Sequence, residues 1–411
     1  MAVAERRGAR TEVPVRPFPP RPARLVRSAG RHDKRMRDEA VPATTVTEQT
    51  ATLLWEACRR DPDPASLRRA LAGGADIGWA VSAASEQRIG PLLWRALGAA
   101  GSLDGLGPDG AALGGVADAS RMEALLLLPR AVALAVRPLT DAGLEPVVFK
   151  GPAVAARYPE PGLRPMDDID LLLPQADHRR ALEALCRAGW QVARAGGGDQ
   201  YDTLLTHCEV PSLFLELHYG LEHPSHRVTA LDPDTLWARR QPLECVGTPA
   251  FGLPPAEELV ALAAHAGKPY HSFVRLVWIA DLAMIVGAAA SDGTAIDWDR
   301  VRAVAGAARC MTVVGVALAM ARRSGVDAPA GLFPLPTWGW RGDAVGRLLS
   351  VTWPLTHLEL SRTQLGYTLT DARSQRAKFL FVLLSSCHEL RPRVRHLAYL
   401  RRALARPRPR A

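Results

Sequence analysis

The sequence predicts an α+β fold that is mostly helical overall, with a small mixed sheet and its flanking helices embedded between helical segments. Three observations indicate this. Short β-prone apolar runs are concentrated between residues 147 and 219, whereas apolar residues recur at helical spacing before and after that region. The chain has 411 residues with 48% apolar content, enough to bury one large or two ordinary cores.

Residues 1–45 are predicted to form a disordered basic segment, because they hold 11 basic and five acidic side chains with little apolar periodicity. They lack the apolar core of a signal peptide. We interpret Met36 as the native start, so that the preceding residues are an extended reading frame. The alternative is a basic arm for an anionic partner.

The net charge of +9 does not by itself indicate a nucleic-acid partner, because the charge lies at the two ends. Residues 391–411 hold eight arginines and no acidic residue, and the segment from 46 to 390 carries about −5. The folded body is therefore mildly acidic. Residues 406–411 are predicted to be a basic tail.

Three further segments follow from periodicity and breaks. Residues 46–115 are predicted as a helical unit, residues 116–253 as the α/β core, and residues 254–405 as a helical domain. In the core we expect a helical stretch kinked or broken at Pro129 and Pro138, and then a sheet of four or five strands. Its elements are a strand at 146–149, a short helix at 152–158, a strand at 168–173, a helix at 175–188, strands at 191–194, 201–209 and 213–219, and a flexible hairpin turn at 196–198.

The helical domain is predicted to begin with helices at 254–266 and 273–286, and to continue with helices at 297–325 and 371–405. His265 and Asp281 belong to the first two. We interpret both as structural residues, since a buried Asp is usually paired with an Arg or a helix end. The functional alternative is that this half of the chain closes over a ligand and recognises it.

Two carboxylates are predicted to converge on one spot. Side chains alternate along a strand, so Asp168 and Asp170 project to one side while Asp167 and Ile169 face away. Two close carboxylates are unfavourable without a cation between them, and paired oxygen ligands together with substrate phosphates suit Mg²⁺. The pattern therefore predicts a site for a metal and a triphosphate.

A neighbouring strand adds a third carboxylate, because Glu216 and His218 share one face of the run LFLELHY. Such a group can bridge to a second metal or take the proton of an attacking hydroxyl. Taken alone, Glu216 is better interpreted as a polar residue at a sheet edge.

The ordered run Phe149-Lys150-Gly151, Tyr158-Pro159, Gly162-Leu163-Arg164-Pro165-Met166 and Asp168-Ile169-Asp170-Leu171 resembles the uncharacterised nucleotidyltransferase family of the polymerase-β-like superfamily. Glu216-Leu217-His218 and the helical region 265–281 support the resemblance, which covers roughly residues 116–287. It implies a polymerase-β-like nucleotidyltransferase core.

The resemblance also implies roles for single residues. Asp168, Asp170 and Glu216 would be the catalytic and metal-binding residues for two Mg²⁺ ions. The nucleotide-binding residues would be Lys150, Gly151, Arg164 and His218, with a nucleoside triphosphate as substrate. Lys150 is one of only four lysines, against 47 arginines.

Pro152 departs from the wider superfamily, in which a serine or glycine usually follows the glycine and contacts the outer phosphates. Proline has neither a hydroxyl nor an N–H. The phosphate contacts would then fall to Lys150, Arg164 and the amides after Pro152.

The functional hypothesis is a Mg²⁺-dependent transfer of a nucleoside monophosphate from the triphosphate to an unknown acceptor hydroxyl, with release of pyrophosphate. The acceptor is a small molecule, a peptide or RNA. One alternative is a non-catalytic nucleotide- or partner-binding protein that keeps the fold. Another is a toxin-like nucleotidyltransferase that acts on RNA.

The sequence also bears on location. Its six cysteines show no metal-binding spacing and are interpreted as unpaired thiols in a reducing cytoplasm. Its longest apolar runs fall short of the roughly 20 residues that span a bilayer. We therefore expect a cytoplasmic protein without a membrane span or a disulfide partner.

Overall fold

The structure is a computed structural model. It describes residues 46–195, 201–222, 227–269, 271–329 and 331–337, together with 342, 345, 346, 348, 349, 369 and 371. Four predicted features lie outside the described residues: the basic segment 1–45, the hairpin turn 196–198, the helix 371–405 apart from its first residue, and the tail 406–411.

Helices precede the sheet, as predicted. They are α1 (Glu48–Ala57), α2 (Pro64–Ala72), α3 (Ile77–Glu86), α4 (Gly90–Ala99), α5 (Gly107–Met122) and α6 (Leu128–Asp141). Side-chain oxygens of Thr47, Asp63 and Asp76 accept hydrogen bonds from the first-turn amides of α1, α2 and α3. These caps begin the helices at the positions that the sequence marks.

The irregularity between α5 and α6 is a turn of π-helix at Glu123–Leu127. This irregularity does not coincide with Pro129 or Pro138, where the sequence predicts a kink or break. Pro129 is in the first turn of α6, where its missing N–H is harmless, and Pro138 lies inside α6. The π turn leaves Leu125 and Leu126 exposed.

Within the described residues the sheet has seven strands, in the order β3-β4-β5-β2-β1-β7-β6. Their bounds are β1 (Val147–Phe149), β2 (Asp168–Leu172), β3 (Gln191–Arg194), β4 (Asp202–Thr206), β5 (Phe214–His218), β6 (Gln241–Cys245) and β7 (Thr248–Gly252). β2 pairs in parallel with β5, and β1 pairs in parallel with β7; the other neighbouring pairs are antiparallel. The sheet is therefore mixed, as predicted.

The expectation of four or five strands was wrong because it missed the β6–β7 hairpin. Pro242 and Pro249 break the β-prone pattern of these strands. Pro242 is tolerated because β6 forms the edge of the sheet. The two-residue turn, Val246-Gly247, has φ angles of 43° and 81°, a conformation that a short hairpin requires.

Helices also connect and follow the strands. They are α7 (Gly151–Ala155), α8 (His178–Arg187, after a 3₁₀ turn at Gln175–Asp177), α9 (Pro233–Ala238), α10 (Pro255–Ala266), α11 (Leu276–Ser291), α12 (Trp298–Ala307) and α13 (Met311–Ala321, before a 3₁₀ turn at Arg322–Ser324). Helix α11 begins three residues later than predicted. The preceding residues instead form a tight turn in which Ser272 and Phe273 both have positive φ angles.

Two apolar clusters cover the two faces of the sheet. One contains Val148, Ile169 and Leu171 together with residues of α6 and α8. The other contains Phe149 and Leu172 together with residues of the helices before and after the sheet. Asp170 shares the face of Leu172, so it points toward the side that α10 and α11 cover. The domain boundaries proposed from the sequence remain a prediction.

None of the helices that the structure describes combines the length and apolar character needed to cross a membrane.

Candidate active site

Glu216 and Asp170 lie side by side because of the register between two parallel strands. Residues 170 and 216 are direct partners in the pairing of β2 with β5. His218, two residues further along β5, places its Nε2 2.8 Å from Asp170 Oδ1 and 3.2 Å from Glu216 Oε2. The structure thus brings together three of the predicted site residues.

Lys150 approaches the same group from β1. Its Nζ lies 2.5 Å from Asp170 Oδ1. The φ angle of 54° at Lys150 is unusual for a residue with a side chain, and it turns the chain sharply from β1 into α7. The predicted turn at Lys150-Gly151 is therefore present, with strain at the residue that contacts the carboxylate.

The protonation states of these groups depend on one another. Burial alone would raise the pKa of Asp170, but Lys150 and His218 outweigh it and hold that pKa well below its usual range. Burial and the charge of Lys150 lower the pKa of His218, whereas its hydrogen bonds to Asp170 and Glu216 raise it, and the net shift is upward. Burial lowers the pKa of Lys150, but Asp170 and Glu216 raise it further than burial lowers it. Asp170 is consequently ionised beside the ammonium group of Lys150.

Asp168 lies in the same cleft but outside this compact group. It lies two positions before Asp170 along β2, a spacing of about 7 Å, and its partner on β5 is Phe214. Burial, followed by the charge of Asp170, raises the pKa of Asp168 to about 6. In the described part of the chain no salt bridge holds it.

Asp167 precedes the first residue of β2, so strand alternation does not fix its direction. It forms a two-bond ion pair with Arg88, and both side chains line the cleft. That hydrogen bond is the main reason why the pKa of Asp167 is low. The prediction that Asp167 faces away from the cleft was therefore wrong, although Asp167 is not part of the compact group.

The chemistry of the donor set fits a divalent cation. One ligand atom from each of Asp170, Glu216 and His218 can be chosen such that all three lie within 4.8 Å of one another. Two carboxylates and an imidazole suit a first-row divalent metal, including Mn²⁺, and the carboxylates suit Mg²⁺. His218 thus takes the place in the compact donor group that the sequence prediction gave to Asp168. His218 Nδ1 is buried without a hydrogen-bond partner in the described structure.

Arg164 lines the cleft, but its guanidinium group is engaged with Asp281. Its Nε and Nη2 donate to the two carboxylate oxygens over 2.8 and 2.9 Å, and the hydroxyl of Tyr158 donates to Oδ1 over 2.7 Å. Asp281 is completely buried. This confirms that the buried Asp281 is paired with an arginine, as its structural interpretation expects, and the pair joins the segment before β2 to α11.

Gly151 lies against the same arginine. A Cβ atom at this position would be 3.2 Å from both Arg164 Nη1 and Met166 Sδ. The lack of a side chain therefore allows the turn after β1 to pack against the cleft wall. Whether Gly151 and Arg164 contact a nucleotide remains a prediction.

The opposite wall of the cleft comes from the turn between α10 and α11. The rings of His265, His271 and Trp278 contact one another, with centroid separations of 4.5 to 5.4 Å. Burial lowers the pKa of His271 to about 3, and burial also lowers that of His265. These imidazoles are therefore neutral. Lys268 and Arg275 line the same wall.

Sequence reasoning missed part of this wall. His271, Trp278 and Arg88 show no local pattern that distinguishes them from packing residues. Lys268 did carry a signal, because lysine is rare in this chain. The cleft that these two walls enclose has a volume of about 340 Å³, within the usual range for small-molecule sites.

A mixed sheet that presents carboxylates and a Lys-Gly turn to one cleft is the arrangement that the sequence predicts for a nucleotidyltransferase. The model of a protein family described as uncharacterised nucleotidyltransferase matches residues 73–324, more than half of the chain. The chain belongs to this family, and the resemblance inferred from its motifs is confirmed. Comparisons with curated proteins and with solved structures find no match.

Proposed function

We propose that the protein is a metal-dependent nucleotidyltransferase that moves a nucleoside monophosphate from a nucleoside triphosphate to an acceptor hydroxyl and releases pyrophosphate. The observation that carries the proposal is the convergence of Asp170, Glu216 and the buried His218. The two carboxylates line a cleft that is also lined by lysine and arginine side chains. Membership of a nucleotidyltransferase family supports the reaction class.

Asp170, Glu216 and His218 would hold one divalent ion, and Asp168 with Asp170 would hold a second; we propose Mg²⁺. When bound, these ions supply positive charge that stabilises the charge developing on the transferred phosphate. The donor set of two carboxylates and one imidazole supports a metal at the first position.

Glu216 is our proposed proton acceptor. Its side chain is 25% exposed to the cleft, and the Nε2 contact with His218 orients it. The acceptor oxygen forms a bond to the α-phosphorus while the bond from that phosphorus to the β-phosphate oxygen breaks. The hydroxyl proton passes to Glu216, and pyrophosphate leaves with the bonding electron pair.

Incubation of the protein with each α-labelled nucleoside triphosphate, MgCl₂ and a cell extract tests this proposal. We expect label to move from at least one nucleotide to a small molecule, a peptide or RNA, with one pyrophosphate released per transfer. Glu216→Gln should lose the transfer. Absence of transfer with all four nucleotides would contradict the proposal.

A non-catalytic nucleotide-binding protein is the second candidate. Pro152 at the phosphate turn, together with the pairing of Lys150 to Asp170, favours it. Binding of a nucleotide without pyrophosphate release would support this candidate.

The reducing cytoplasm remains our proposed compartment, because the six cysteines show no metal-binding or disulfide spacing in the sequence.

A further inference from the structure

The two cationic side chains that the sequence assigns to phosphate binding on the sheet side of the cleft are engaged elsewhere. Lys150 is paired with Asp170, and Arg164 is paired with Asp281. Pro152 offers neither a hydroxyl nor an N–H to a phosphate. Because the outer phosphates of a nucleotide carry several negative charges, the cations that bind them have to come from another part of the cleft.

Lys268 on the helical wall is placed for this role. Its Nζ lies 5.3 Å from the centre of the Tyr201 ring, and within the described ranges it forms no salt bridge. Burial, with added repulsion from Lys150, lowers its pKa to about 8. The carboxylates of Glu222, Asp170 and Glu216 favour the charged form of Lys268, but none forms a salt bridge with it and together they do not offset burial and Lys150. A bound phosphate would supply negative charge at hydrogen-bond distance.

The distribution of lysine is an independent observation. The sequence has four lysines and 47 arginines. The two lysines in the described part of the chain are Lys150 and Lys268, and both line this cleft. A lysine ammonium is a compact charge on a flexible stem, which suits a phosphate group that moves as its bond breaks.

The backbone that carries Lys268 is held in a strained turn. Ser272 and Phe273 have φ angles of 42° and 57°, although neither is glycine. The Phe273 amide donates to Ala266 O over 2.7 Å, and the Ser272 amide donates to Lys268 O over 2.8 Å. Strained turns of this kind persist where the surrounding structure enforces them, and they are concentrated at ligand-binding sites. The turn thus fixes the position of Lys268 opposite the carboxylates.

We propose that Lys268, with Arg275 at the rim, binds the outer phosphates of the nucleotide and the pyrophosphate that leaves. This inference rests on the proposed function and deepens it, because it assigns phosphate recognition to the helical wall and not to the turn at Gly151. The ammonium donates hydrogen bonds to phosphate oxygens and balances the charge that pyrophosphate gains as it departs.

Calorimetric titration with inorganic pyrophosphate or tripolyphosphate in MgCl₂ tests the inference, since neither probe depends on the nucleobase. Lys268→Met should weaken binding by about ten- to a hundredfold, as expected for a charge-assisted hydrogen bond. Lys268→Arg should keep most of the affinity. Thermal unfolding of each variant checks that it folds.

Two controls make the test specific. Arg179→Met removes a cation whose side chain is 83% exposed on α8, and Pro152→Ser restores a hydroxyl and an N–H at the sheet-side turn. Each should change the affinity by less than about threefold. Unchanged binding in a folded Lys268→Met variant, or a wild-type protein that binds neither probe, would overturn the inference.

Transfer of labelled nucleotide is measured separately. A protein that binds pyrophosphate through Lys268 but transfers no label refutes the proposed function and leaves the phosphate site standing. A protein that transfers label while Lys268→Met binds pyrophosphate normally refutes only the phosphate site.

Discussion

Glu216 lies directly opposite Asp170 in the parallel pairing of β5 with β2, and His218 Nε2 contacts both carboxylates. The strand register produces this proximity, because all three side chains are carried by the paired strands β2 and β5 and none by a loop. A site built on strands is more rigid than one built on loops. The three residues therefore form the part of the cleft best suited to hold a metal ion in one geometry.

The donor group predicts which residues govern metal affinity. In the absence of nucleotide, Glu216→Gln and His218→Gln should weaken Mn²⁺ binding by about ten- to a hundredfold, because each removes a donor or the group that orients it. Asp168→Asn should change the affinity by less than about threefold. Titration of Mn²⁺ by electron paramagnetic resonance measures these values. A larger loss of Mn²⁺ affinity in Asp168→Asn than in the other two variants would instead support Asp168, Asp170 and Glu216, the metal ligands predicted from the sequence.

Lys150 should compete with a metal ion for Asp170, since its ammonium group lies 2.5 Å from Oδ1. We predict that Lys150→Met raises Mn²⁺ affinity by about tenfold without nucleotide, the equivalent of one charge-assisted hydrogen bond. Lys150→Arg keeps the charge and is the matched control. The same titration decides the question, and equal or weaker Mn²⁺ binding by Lys150→Met would contradict this interpretation.

The buried ion pair between Arg164 and Asp281 should govern stability. Asp281→Ala leaves a guanidinium group that is only 10% exposed without its partner, so the free energy of unfolding should fall by about 3–5 kcal/mol. The double variant Arg164→Met/Asp281→Ala should be more stable than the sum of the single losses predicts. Urea unfolding of the wild type, Arg164→Met, Asp281→Ala and the double variant gives the coupling energy between the two side chains. Additive losses would show that the pair is not coupled.

Glu258 predicts a pH dependence of stability. Burial, only partly offset by Arg157, raises its pKa from 4.5 to about 7. Below pH 4.5 both states are protonated. As the pH rises from 4.5 to 7, Glu258 ionises in the unfolded chain but stays protonated in the folded protein, which favours unfolding. Above pH 7 the carboxyl is ionised in both states, and its burial has lowered the free energy of unfolding by about 3 kcal/mol.

Glu258→Gln removes that titration and is the test. Between pH 4.5 and 7 the wild type should lose unfolding free energy relative to Glu258→Gln. Above pH 7 the difference between the two proteins should stay constant. Glu183→Gln, on the exposed face of α8, should show no such trend. A pH-independent difference for Glu258→Gln would mean that this carboxyl titrates normally.

The sequence predicted the centre of the site because its strands carry strong local patterns. Short β-prone runs marked β1 and β2, an alternating pattern marked β5, and side-chain alternation gave the faces of Asp170 and Glu216. Alternation gives the face of a side chain and not its distance along the strand. For that reason the sequence analysis named Asp168 as the third metal ligand, and it did not predict that His218 reaches both carboxylates.

Long-range pairing was beyond local pattern. Arg164 had been expected to bind phosphate, and its partner Asp281 lies 117 residues further along the chain. No periodicity encodes such a contact, although the burial of Asp281 implied that a cation would be near. The sequence analysis missed the β6–β7 hairpin because prolines interrupt its β-strand pattern. It missed most of the helical wall because the turn that forms this wall has no regular period.

Metal-dependent pyrophosphate release from a nucleoside triphosphate tests the central claim most directly. With MgCl₂, the nucleotide and the acceptor identified by labelling, the wild-type protein should release one pyrophosphate per nucleotide transferred, and chelation of the metal should stop it. Asp170→Asn should lower the rate at least about a hundredfold, while Asp177→Asn, in a surface pair with Arg180, should not. Equal rates in folded Asp170→Asn and wild-type protein would contradict the assignment of this cleft as a nucleotidyltransferase active site.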